Sequence, residues 1–476
     1  MNDWFDHILY NTREQPEASA ILLEDRVVTY GMLGAAIECC AHRIAALSLA
    51  KDRPVAVCIG NPIRHLTVSF ALFRIGICSL PLDRPHHGIP GLEFDIVLGD
   101  AEAKPKFVPA HRFVEVTEAW FATDVVPSGS LPAPFSGERQ VCRRSLTSGT
   151  TGEPKIFGNT IGYIGRHIFP GIGVFNCSLV LSMPGLTTIW GFMVACAVLA
   201  SRKTLCCAVS PFQAIRMIEL FSIDFVLASP DQVVALVRAA RKSGAQVPSL
   251  RTVAIGGAIP TRALLEGAAF YLCKDIRCRY GTSEVGLLAE TAAREILSKP
   301  GFVGRVAPGF DIAVFDSSGA PCRSGEIGIV KARVKRDSDS EQDAWTDHGD
   351  VGWITDDGRL FIVGRTSDIA DLSDASAREV SPVHEVEHLL RLEWDATDAG
   401  AVLVDDQTTG AKPEIWVATV DCKDARAAEL EAILRHRGIE GTVRLFPVSS
   451  IPRAANGKVQ RAQLKSLMLA RAGEPR

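Results

Sequence analysis

The sequence lacks an excess of basic residues. Its 51 lysines and arginines are outnumbered by 55 aspartates and glutamates, which gives a formal net charge of −4 at pH 7, and the cations are scattered along the chain. Nucleic acids and anionic membrane surfaces attract clustered positive charge, so the sequence disfavours both as the main partner. With 476 residues, of which 47% are hydrophobic, the chain is expected to pack into two or three globular domains.

The sequence also lacks a metal-binding cysteine pattern. None of its 13 cysteines belongs to a C-x-x-C pair or to a His/Cys cluster with metal-ligand spacing. Adjacent pairs such as Cys39 and Cys40 are typical of small apolar core residues. Asp3 and Asp6 stand where a signal peptide needs a basic start followed by an apolar block. We therefore expect a protein of the reducing cytoplasm.

Charge is absent from residues 168–201, and residues 187–200 are nearly all apolar. The run is interrupted by prolines and glycines, namely Pro170, Gly171, Gly173, Pro184 and Gly185. The uninterrupted part is shorter than the roughly 20 residues that cross a bilayer. The stretch therefore predicts a buried strand, turn and helix rather than a membrane span.

Hydroxyls, glycines and one lysine are concentrated in residues 145–155, Ser-Leu-Thr-Ser-Gly-Thr-Thr-Gly-Glu-Pro-Lys. Glycine lets backbone N–H groups approach an anion, and the hydroxyls and the lysine add further donors. A Walker loop needs Gly-x-x-x-x-Gly-Lys-Ser/Thr, whereas this segment reads Gly149-x-x-Gly152-x-x-Lys155, so it does not predict a kinase or a GTPase. An ordinary polar loop is the alternative, but this density of hydroxyls and glycines favours a phosphate-binding loop.

Short β-branched runs alternate with amphipathic stretches between residues 53 and 280, for example a strand predicted at 250–255 and a helix at 261–273. Such alternation predicts an α/β fold, with doubly wound, mostly parallel sheets covered by helices on both faces. From residue 304 to 363, turns rich in glycine and aspartate separate short strands. This part predicts a small antiparallel or barrel-like subdomain.

The last hundred residues change in character. They predict a helix at 383–390, a strand at 414–420 and a capped helix at 424–437 that Gly438 closes. We therefore expect a separate small α+β domain at the C-terminal end.

The segment at 145–155 resembles the signature loop of the superfamily of adenylate-forming (AMP-binding) enzymes. This superfamily includes acyl- and aryl-CoA synthetases, the adenylation domains of peptide synthetases and firefly luciferase. Further segments follow in the order of the superfamily, namely Ile-Gly-Gly-Ala at 255–258, Arg-Tyr-Gly-Thr-Ser-Glu at 279–284, His-Gly-Asp-Val-Gly-Trp at 348–353, Gly-Arg-Thr-Ser-Asp at 364–368 and Ile-Pro-Arg-Ala-Ala-Asn-Gly-Lys at 451–458. The Gly-Gly segment is expected to follow a strand and to open a helix. Alone, a Gly-Gly or Gly-Asp pair would predict only a turn, but the order of the segments supports the resemblance.

The resemblance implies a division into domains. Residues 1–363 would form a large N-terminal AMP-binding domain, with the barrel-like subdomain at about 300–363. Residues 364–368 would form a hinge, with Ser367 at its pivot where the superfamily usually has Asp or Lys. A small, mobile C-terminal domain at 369–476 would carry the catalytic lysine.

The resemblance also implies which residues bind Mg·ATP. The residues that would hold the nucleotide are Thr147, Ser148, Gly149, Thr150, Thr151, Gly152, Lys155, Gly257, Ala258, Tyr280, Gly281, Asp350 and Arg365. Among these, Gly257 and Ala258 would line the edge of adenine, and Tyr280 would pack on it. Asp350 would accept hydrogen bonds from both ribose hydroxyls, and Arg365 would lie at the ribose and the phosphates.

The implied catalytic residues are Ser283, Glu284 and Lys458. Ser283, which stands where threonine is usual, would contact the α-phosphate. Glu284 would bind Mg²⁺, which prefers carboxylate oxygen. Lys458 would bridge the attacking carboxylate and the α-phosphate, where negative charge builds up.

The acid substrate is expected at residues 184–192 and beside Gly256 and Gly286. The residues suggested for this pocket are Thr188, Ile189, Trp190 and Gly286. Relatives that activate amino acids place an aspartate in this stretch to pair the α-ammonium group, and none occurs between Arg166 and Arg202. An α-amino acid is therefore disfavoured, and the aromatic side chains favour an apolar or aryl acid, although large apolar residues on a helix are also typical of a core.

Together these residues imply that a carboxylate attacks the α-phosphorus of Mg·ATP, giving an acyl-adenylate and pyrophosphate, and that a thiol, with CoA expected, then displaces AMP. The superfamily has a lysine and a glycine in a loop after the hinge for the thioester step, whereas this chain has no glycine between Gly364 and Gly400. Many CoA ligases also have a histidine where Thr188 stands. Two alternatives stay open, an enzyme that loads an acyl or aryl carrier protein and a nucleotide- or acyl-binding protein without turnover.

Overall fold

The computed structural model describes residues 4–82, 92–122, 129–148, 154–171, 176–335, 344–366, 382–404, 414–422, 426–453 and 459–472. At residues 103, 147, 148, 154, 155 and 169–171 only the backbone is described. The chain divides into two compact units, residues 1–149 with 153–227 and residues 150–152 with 228–476.

The first unit alternates short strands with helices. Its helices are α1 (Trp4–Glu14), α2 (Tyr30–Ala46), α3 (Pro62–Arg74), α4 (Ile161–Gly171), α5 (Ile189–Ala200) and α6 (Pro211–Phe221). Its strands are β1 (Ser19–Leu22), β2 (Val27–Thr29), β3 (Val55–Cys58), β4 (Ser79–Pro81), β5 (Val97–Gly99), β6 (Phe113–Glu115), β7 (Val141–Ser148), β8 (Pro154–Thr160), β9 (Leu179–Ser182), β10 (Thr204–Cys206) and β11 (Phe225–Ala228).

The strands of this unit are mostly parallel. Six of them form a sheet in the order β6-β5-β3-β4-β7-β8, in which only β7 and β8 are antiparallel neighbours. Strands β11, β9, β10 and β1 are also parallel neighbours in that order, and β2 joins β1 antiparallel. All four residues of β3, Val-Ala-Val-Cys, are buried, as expected for a parallel strand covered on both faces. The predicted parallel sheet is confirmed.

Hydroxyl and amide side chains fix where several helices begin. Thr29, Asn61 and Ser210 accept hydrogen bonds from backbone N–H groups in the first turns of α2, α3 and α6. The uncharged helix α5 begins after the N-cap Thr188, and all but one of its residues are buried. The strand, turn and helix predicted in this stretch correspond to β9, the following turn and α5. In the part of the chain that the structure describes, no helix has both the length and the apolar character needed to cross a membrane.

The second unit carries the remaining elements. Its helices are α7 (Pro230–Ser243), α8 (Arg262–Tyr271), α9 (Ala293–Ser298), α10 (Val383–Glu393), α11 (Ala427–His436) and α12 (Arg461–Ala472). Its strands are β12 (Thr252–Gly256), β13 (Asp275–Thr282), β14 (Gly286–Ala292), β15 (Phe302–Val306), β16 (Phe310–Phe315), β17 (Gly328–Val334), β18 (Thr346–Ile354), β19 (Arg359–Arg365), β20 (Asp398–Val404), β21 (Glu414–Val420) and β22 (Thr442–Pro447).

In this unit the sheet changes from parallel to antiparallel at one strand. β12 and β13 are parallel, and the neighbours β13-β14-β15-β19-β18-β17-β16 are all antiparallel. Strands β20, β21 and β22 form a separate sheet, whose core includes Trp416, Phe446 and Leu464. The predicted α/β class with a small C-terminal α+β part is confirmed. The division at residues 364–368 stays a prediction, and β19 extends into it as far as Arg365.

Two local predictions are wrong. The Gly-Gly segment at 255–258 does not open a helix, because β12 ends at Gly256, Gly257 has a φ of +88°, and α8 begins after the N-cap Thr261. A hydroxyl that accepts a backbone N–H defines a helix start better than glycine does. The helix expected from residue 424 begins at Ala427, and its N-cap residue Arg426 makes no side-chain capping bond.

Candidate active site

Two predicted nucleotide segments lie at the same edge of the sheet in the second unit. Because β12 and β13 are parallel neighbours, the residues that follow them meet at their carboxyl ends. Gly257 and Ala258 are exposed after β12, and Ser283 and Glu284 lie in the turn after β13. Open α/β sheets bind ligands at the carboxyl ends of parallel strands. The chain thus places these four residues at an edge that is suited to a ligand.

The turn after β13 depends on two glycines. Thr282 pairs with Gly286 across the turn, and Gly286 has a φ of +100°. A Cβ atom at Gly281 would lie 2.3 Å from the carbonyl oxygen of Gly286. A positive φ and such a close approach both require glycine. Gly281 and Gly286 therefore shape the hairpin that presents Ser283 and Glu284.

Tyr280, Asp350 and Arg365 form one group that is held by a hydrogen bond and an ion pair. The Tyr280 hydroxyl donates to Asp350 Oδ2 at 2.7 Å, and Arg365 Nε lies 3.0 Å from Asp350 Oδ1. The Asp350 side chain is only 8% exposed, whereas that of Arg365 is 41% exposed. Burial raises the pKa of Tyr280 well above its usual value, and the neighbouring Asp350 raises it further. The tyrosine therefore stays protonated and holds the carboxylate in place.

Asp350 reaches this group through an irregularity in β18. Val330 on β17 pairs with Asp350, but the next residue, Lys331, pairs with Asp347. His348 and Gly349 are thus extra residues, and Gly349 has a φ of +72°. A β-bulge of this kind redirects the side chains next to it. The Gly-Asp pair therefore lies in a bulged strand rather than in a simple turn.

The sequence reasoning missed His348 as a site residue. Its side chain is 2% exposed, and its Nδ1 lies 3.6 Å from Glu284 Oε2, a distance for an electrostatic contact rather than a hydrogen bond. This contact lowers the pKa of Glu284, against the opposing effect of the carboxyl's partial burial. Arg365 Nη1 also donates to the carbonyl oxygen of His348 at 2.7 Å. His348 thus connects the Asp350 group to Glu284, and the only sequence signal was its place in the same segment as Asp350.

The geometry of Glu284 fits a magnesium ion that arrives with phosphates. Its carboxylate is ionised at neutral pH, and 33% of its side chain is exposed. Among the described residues, no cluster of three or more His, Cys, Asp or Glu could hold a metal ion. Mg²⁺ is usually bound by one or two carboxylates together with substrate phosphates rather than by an all-protein cage. Glu284 could supply such a carboxylate.

The suggested pocket residues of the first unit lie at the start of α5. Thr188 Oγ1 accepts a hydrogen bond from the Gly191 N–H at 3.0 Å and donates to the Gly185 carbonyl at 2.7 Å. Ile189 is buried, and Trp190 is half-buried. Thr188 therefore stabilises the helix start, and its role in acid binding stays a prediction.

Several predicted residues cannot be located in the same way. Those outside the described residues are Gly149, Thr150, Thr151, Gly152, Ser367 and Lys458. For Thr147, Ser148 and Lys155 only the backbone is described, and Thr147 pairs with Lys155 across β7 and β8. The two ends of the signature loop are thus neighbours in an antiparallel pair. All the nucleotide and catalytic roles assigned from the sequence stay predictions.

Curated relatives match this chain over nearly its whole length. The 2-succinylbenzoate–CoA ligase of Bacillus subtilis (strain 168) is 24% identical over 96% of this chain and 96% of its own. The 4-chlorobenzoate–CoA ligase of Arthrobacter sp. is 24% identical over 100% of this chain and 97% of its own.

Solved structures show the same fold. The o-succinylbenzoate CoA synthetase (MenE) of Bacillus subtilis, solved in complex with the acyl-adenylate intermediate OSB-AMP, has a TM-score of 0.78 at 21% identity, with 98% of both chains covered. That protein has also been solved in complex with ATP and a magnesium ion. The amide bond synthetase McbA of Marinactinospora thermotolerans has a TM-score of 0.74 at 21% identity, covering 98% of this chain and 99% of its own.

The family assignment follows from the greater part of the sequence. Residues 9–333 match the family described as AMP-binding enzyme. The chain belongs to this family, so the resemblance inferred from its motifs is confirmed.

Proposed function

We propose that this protein activates a carboxylic acid with Mg·ATP, releasing pyrophosphate, and passes the acyl group to a thiol, most favourably CoA. The observation that carries the proposal is the group of Tyr280, Asp350 and Arg365, held by a hydrogen bond and an ion pair next to Glu284. Family membership supports the adenylating step, and the names of the relatives support an aryl acid and CoA. The reducing location expected from the cysteines makes the cytoplasm the proposed site of action.

Asp350 is suited to bind a ribose. One oxygen of its carboxylate accepts a hydrogen bond from Tyr280 and the other forms an ion pair with Arg365, so each retains a lone pair for a further donor. A vicinal diol offers two donors for those positions. Because the side chain is nearly buried, hydrogen bonds to it are strengthened by the low local dielectric. Arg365 is exposed enough to contact a phosphate at the same time.

The protein's part in the reaction is positioning and charge neutralisation. Attack on the α-phosphorus requires little covalent chemistry from the enzyme. Glu284 and Ser283 would hold the α-phosphate and its Mg²⁺ from the turn after β13, and Lys458 would bring a cation to the attacking carboxylate. Mg²⁺, when bound with ATP, would neutralise charge that develops on the phosphates.

Acid-dependent ATP–pyrophosphate exchange, measured without any thiol, tests the adenylating step. The panel should contain aliphatic, aryl and amino acids, including 2-succinylbenzoate and 4-chlorobenzoate. Exchange with aryl acids is expected. If no acid supports exchange although ATP binds, the adenylating function is wrong and binding without turnover is favoured. Adding free CoA or a carrier protein to the active acid then distinguishes the two acceptors.

Replacing Asp350 by asparagine is expected to raise the KM for ATP by about 10- to 100-fold, because charge-assisted hydrogen bonds contribute about 1.5–3 kcal/mol. Asparagine keeps the size but removes the charge that pairs with Arg365. Tyr280→Phe is the matched control, since it removes only one hydrogen bond to Asp350 and keeps the ring. Its effect on KM should be several-fold smaller. Unchanged ATP kinetics in Asp350→Asn would exclude Asp350 from the nucleotide site.

Replacing Glu284 by glutamine is expected to lower the exchange rate about 100-fold and to raise the Mg²⁺ concentration needed for half-maximal exchange. Glutamine keeps an oxygen but not the negative charge. Glu295→Gln on α9 serves as the control, because among the described residues the only ion pair of the Glu295 side chain is a long contact of 3.7 Å with Lys299. An Mg²⁺ dependence identical to that of the unaltered protein would rule out Glu284 as a ligand.

A further inference from the structure

An arginine is buried in the first unit without a carboxylate partner. Arg143 lies in β7, pairs with Asn159 on β8, and is 1% exposed. The described residues provide no carboxylate partner for it, and its nearest titratable neighbours are the thiols of Cys196, Cys142 and Cys78. Fully buried arginines are rare unless they are paired, because an uncompensated guanidinium is costly to desolvate. We therefore expect the buried Arg143 guanidinium to bind an anion.

Arg143 uses only part of its hydrogen-bonding capacity. Its Nη2 donates to the Leu186 carbonyl at 2.5 Å, and its guanidinium carbon lies 4.0 Å from the centre of the Phe192 ring. Its Nε and Nη1 make no hydrogen bond within the described part of the protein. A planar guanidinium with free N–H groups matches the two oxygens of a carboxylate.

Two neutral side chains neighbour Arg143, namely Asn159, which pairs with it across β7 and β8, and His65, on which its charge acts. The Asn159 side-chain oxygen accepts a hydrogen bond from Ser145 Oγ at 2.7 Å, which leaves its Nδ2 without a partner among the described residues. His65 Nδ1 lies 3.3 Å from the Ile59 carbonyl, and burial together with the nearby Arg143 lowers the pKa of His65 to about 3. Burial lowers the pKa of Arg143 to about 10, so it stays charged at neutral pH. The group of Arg143, Asn159 and His65, here named the Arg143 cluster, therefore carries one net positive charge.

We propose that the Arg143 cluster is a subsite for an anionic oxygen group, supplied by the acid substrate as a second negative charge distant from the carboxylate that is activated. Leu186 and Phe192, which contact Arg143, belong to the stretch 184–192 proposed to bind the acid. Phe192 is also packed against Trp4 and Phe70, which gives the subsite an apolar wall. This assignment rests on the proposed function, and a small inorganic anion is the other source of the same chemistry.

The test compares isophthalate with benzoate, which differ by one carboxylate, in the unaltered protein and in Arg143→Met. In pyrophosphate exchange, the unaltered protein is expected to prefer isophthalate by at least about 10-fold in kcat/KM, the effect of one charged hydrogen-bonded pair. Arg143→Met should abolish that preference, so that the kcat/KM ratio of isophthalate to benzoate falls to about 1 whatever the variant does to the rate with benzoate itself. If the ratio of kcat/KM for isophthalate to that for benzoate is the same in the unaltered protein and in Arg143→Met, the proposal is overturned.

Thermal unfolding provides a readout that needs no turnover. Isophthalate is expected to raise the melting temperature of the unaltered protein more than benzoate does, and this difference should vanish in Arg143→Met. If chloride or phosphate alone gives an Arg143-dependent shift, the subsite is supported and its anion is a free ion. If no anion gives such a shift, the cluster is only structural. If no acid supports pyrophosphate exchange, the proposed function is refuted, but the thermal assay still tests the subsite.

If Arg143→Met does not fold, Arg143→Lys replaces it. Lysine keeps the positive charge but not the planar guanidinium, so this variant should reduce the preference for isophthalate only partially.

Discussion

Replacing Lys458 by alanine is expected to lower the rate of acid-dependent ATP–pyrophosphate exchange by about 10³-fold, because a cation placed where charge develops is a large source of transition-state stabilisation. The substitution should affect the maximal rate more than the KM for ATP, since the lysine is expected to act on the attacking carboxylate and the α-phosphate rather than on the adenosine. Initial rates at saturating ATP and acid measure the effect.

The residues on either side of the segment that contains Lys458 are paired with each other. Arg453 and Val459 form an antiparallel bridge, and the Gln460 N–H donates to the Pro452 carbonyl at 2.9 Å. The two ends of the segment that contains Lys458 are therefore held together.

Lys465→Ala is the matched control for this substitution. Lys465 lies exposed on α12, only seven residues further along the chain, and Lys465→Ala removes one positive charge, as Lys458→Ala does. Exchange within about 3-fold of the unaltered rate in both variants would contradict a catalytic role for Lys458. If Lys458→Ala loses exchange but still consumes a preformed acyl-adenylate with a thiol, the lysine acts in the adenylating step alone.

The architecture was predictable because it depends on local patterns. Alternating apolar strands and amphipathic helices specify a parallel sheet without knowledge of tertiary contacts, and β12, α8 and β13 follow that pattern. The order of short motifs identified the family for a similar reason, since each motif is contiguous in sequence. Helix ends were less accurate, because a cap depends on which of several nearby hydroxyls binds the backbone, as Thr261 does for α8.

The missed parts of the site depend on contacts between distant segments. No periodicity shows that Gly349 forms a bulge, and only the fold brings His348 within 3.6 Å of Glu284. Likewise, Arg143 stands beside Arg144 in a strand where a cation would ordinarily be exposed, and only the folded chain shows that it is buried, with its guanidinium over the Phe192 ring of α5. Sequence patterns reveal which residue types are present, but desolvation and missing partners are properties of the folded chain.

Replacing Glu387 by glutamine is expected to destabilise the C-terminal sheet by about 3 kcal/mol, because removing one partner of a buried ion pair leaves the other charge uncompensated. Glu387 lies on α10 with 8% of its side chain exposed, and Arg461 Nη1 donates to its Oε1 at 2.7 Å. The Ala401 N–H donates to the same oxygen at 2.8 Å. Glutamine can still accept the hydrogen bond from the Ala401 N–H, so the loss of stability measures the effect of removing the negative charge that pairs with Arg461.

Thermal unfolding should show a melting temperature lowered by about 6–12 °C for the transition that includes this sheet. Glu393→Gln at the exposed end of the same helix is the control and should shift the melting temperature by less than about 2 °C. An equal shift in both variants would mean that the pair with Arg461 contributes nothing particular to stability.

The pH dependence of the difference in melting temperature between the unaltered protein and Glu387→Gln identifies the cause of that difference. Burial alone would raise the pKa of Glu387, but Arg461 and His384 reverse this and hold the pKa well below its ordinary value of 4.5. Because the folded-state pKa is depressed, the stabilisation is fully present above the unfolded-state pKa and is lost as the pH falls towards the folded-state pKa. The gap in melting temperature between the unaltered protein and Glu387→Gln should therefore be constant from about pH 7 to about pH 6 and should narrow below about pH 4. A gap that stays constant down to the lowest pH at which the protein folds would show that the glutamine acts through packing, and that the ion pair does not anchor the start of α12.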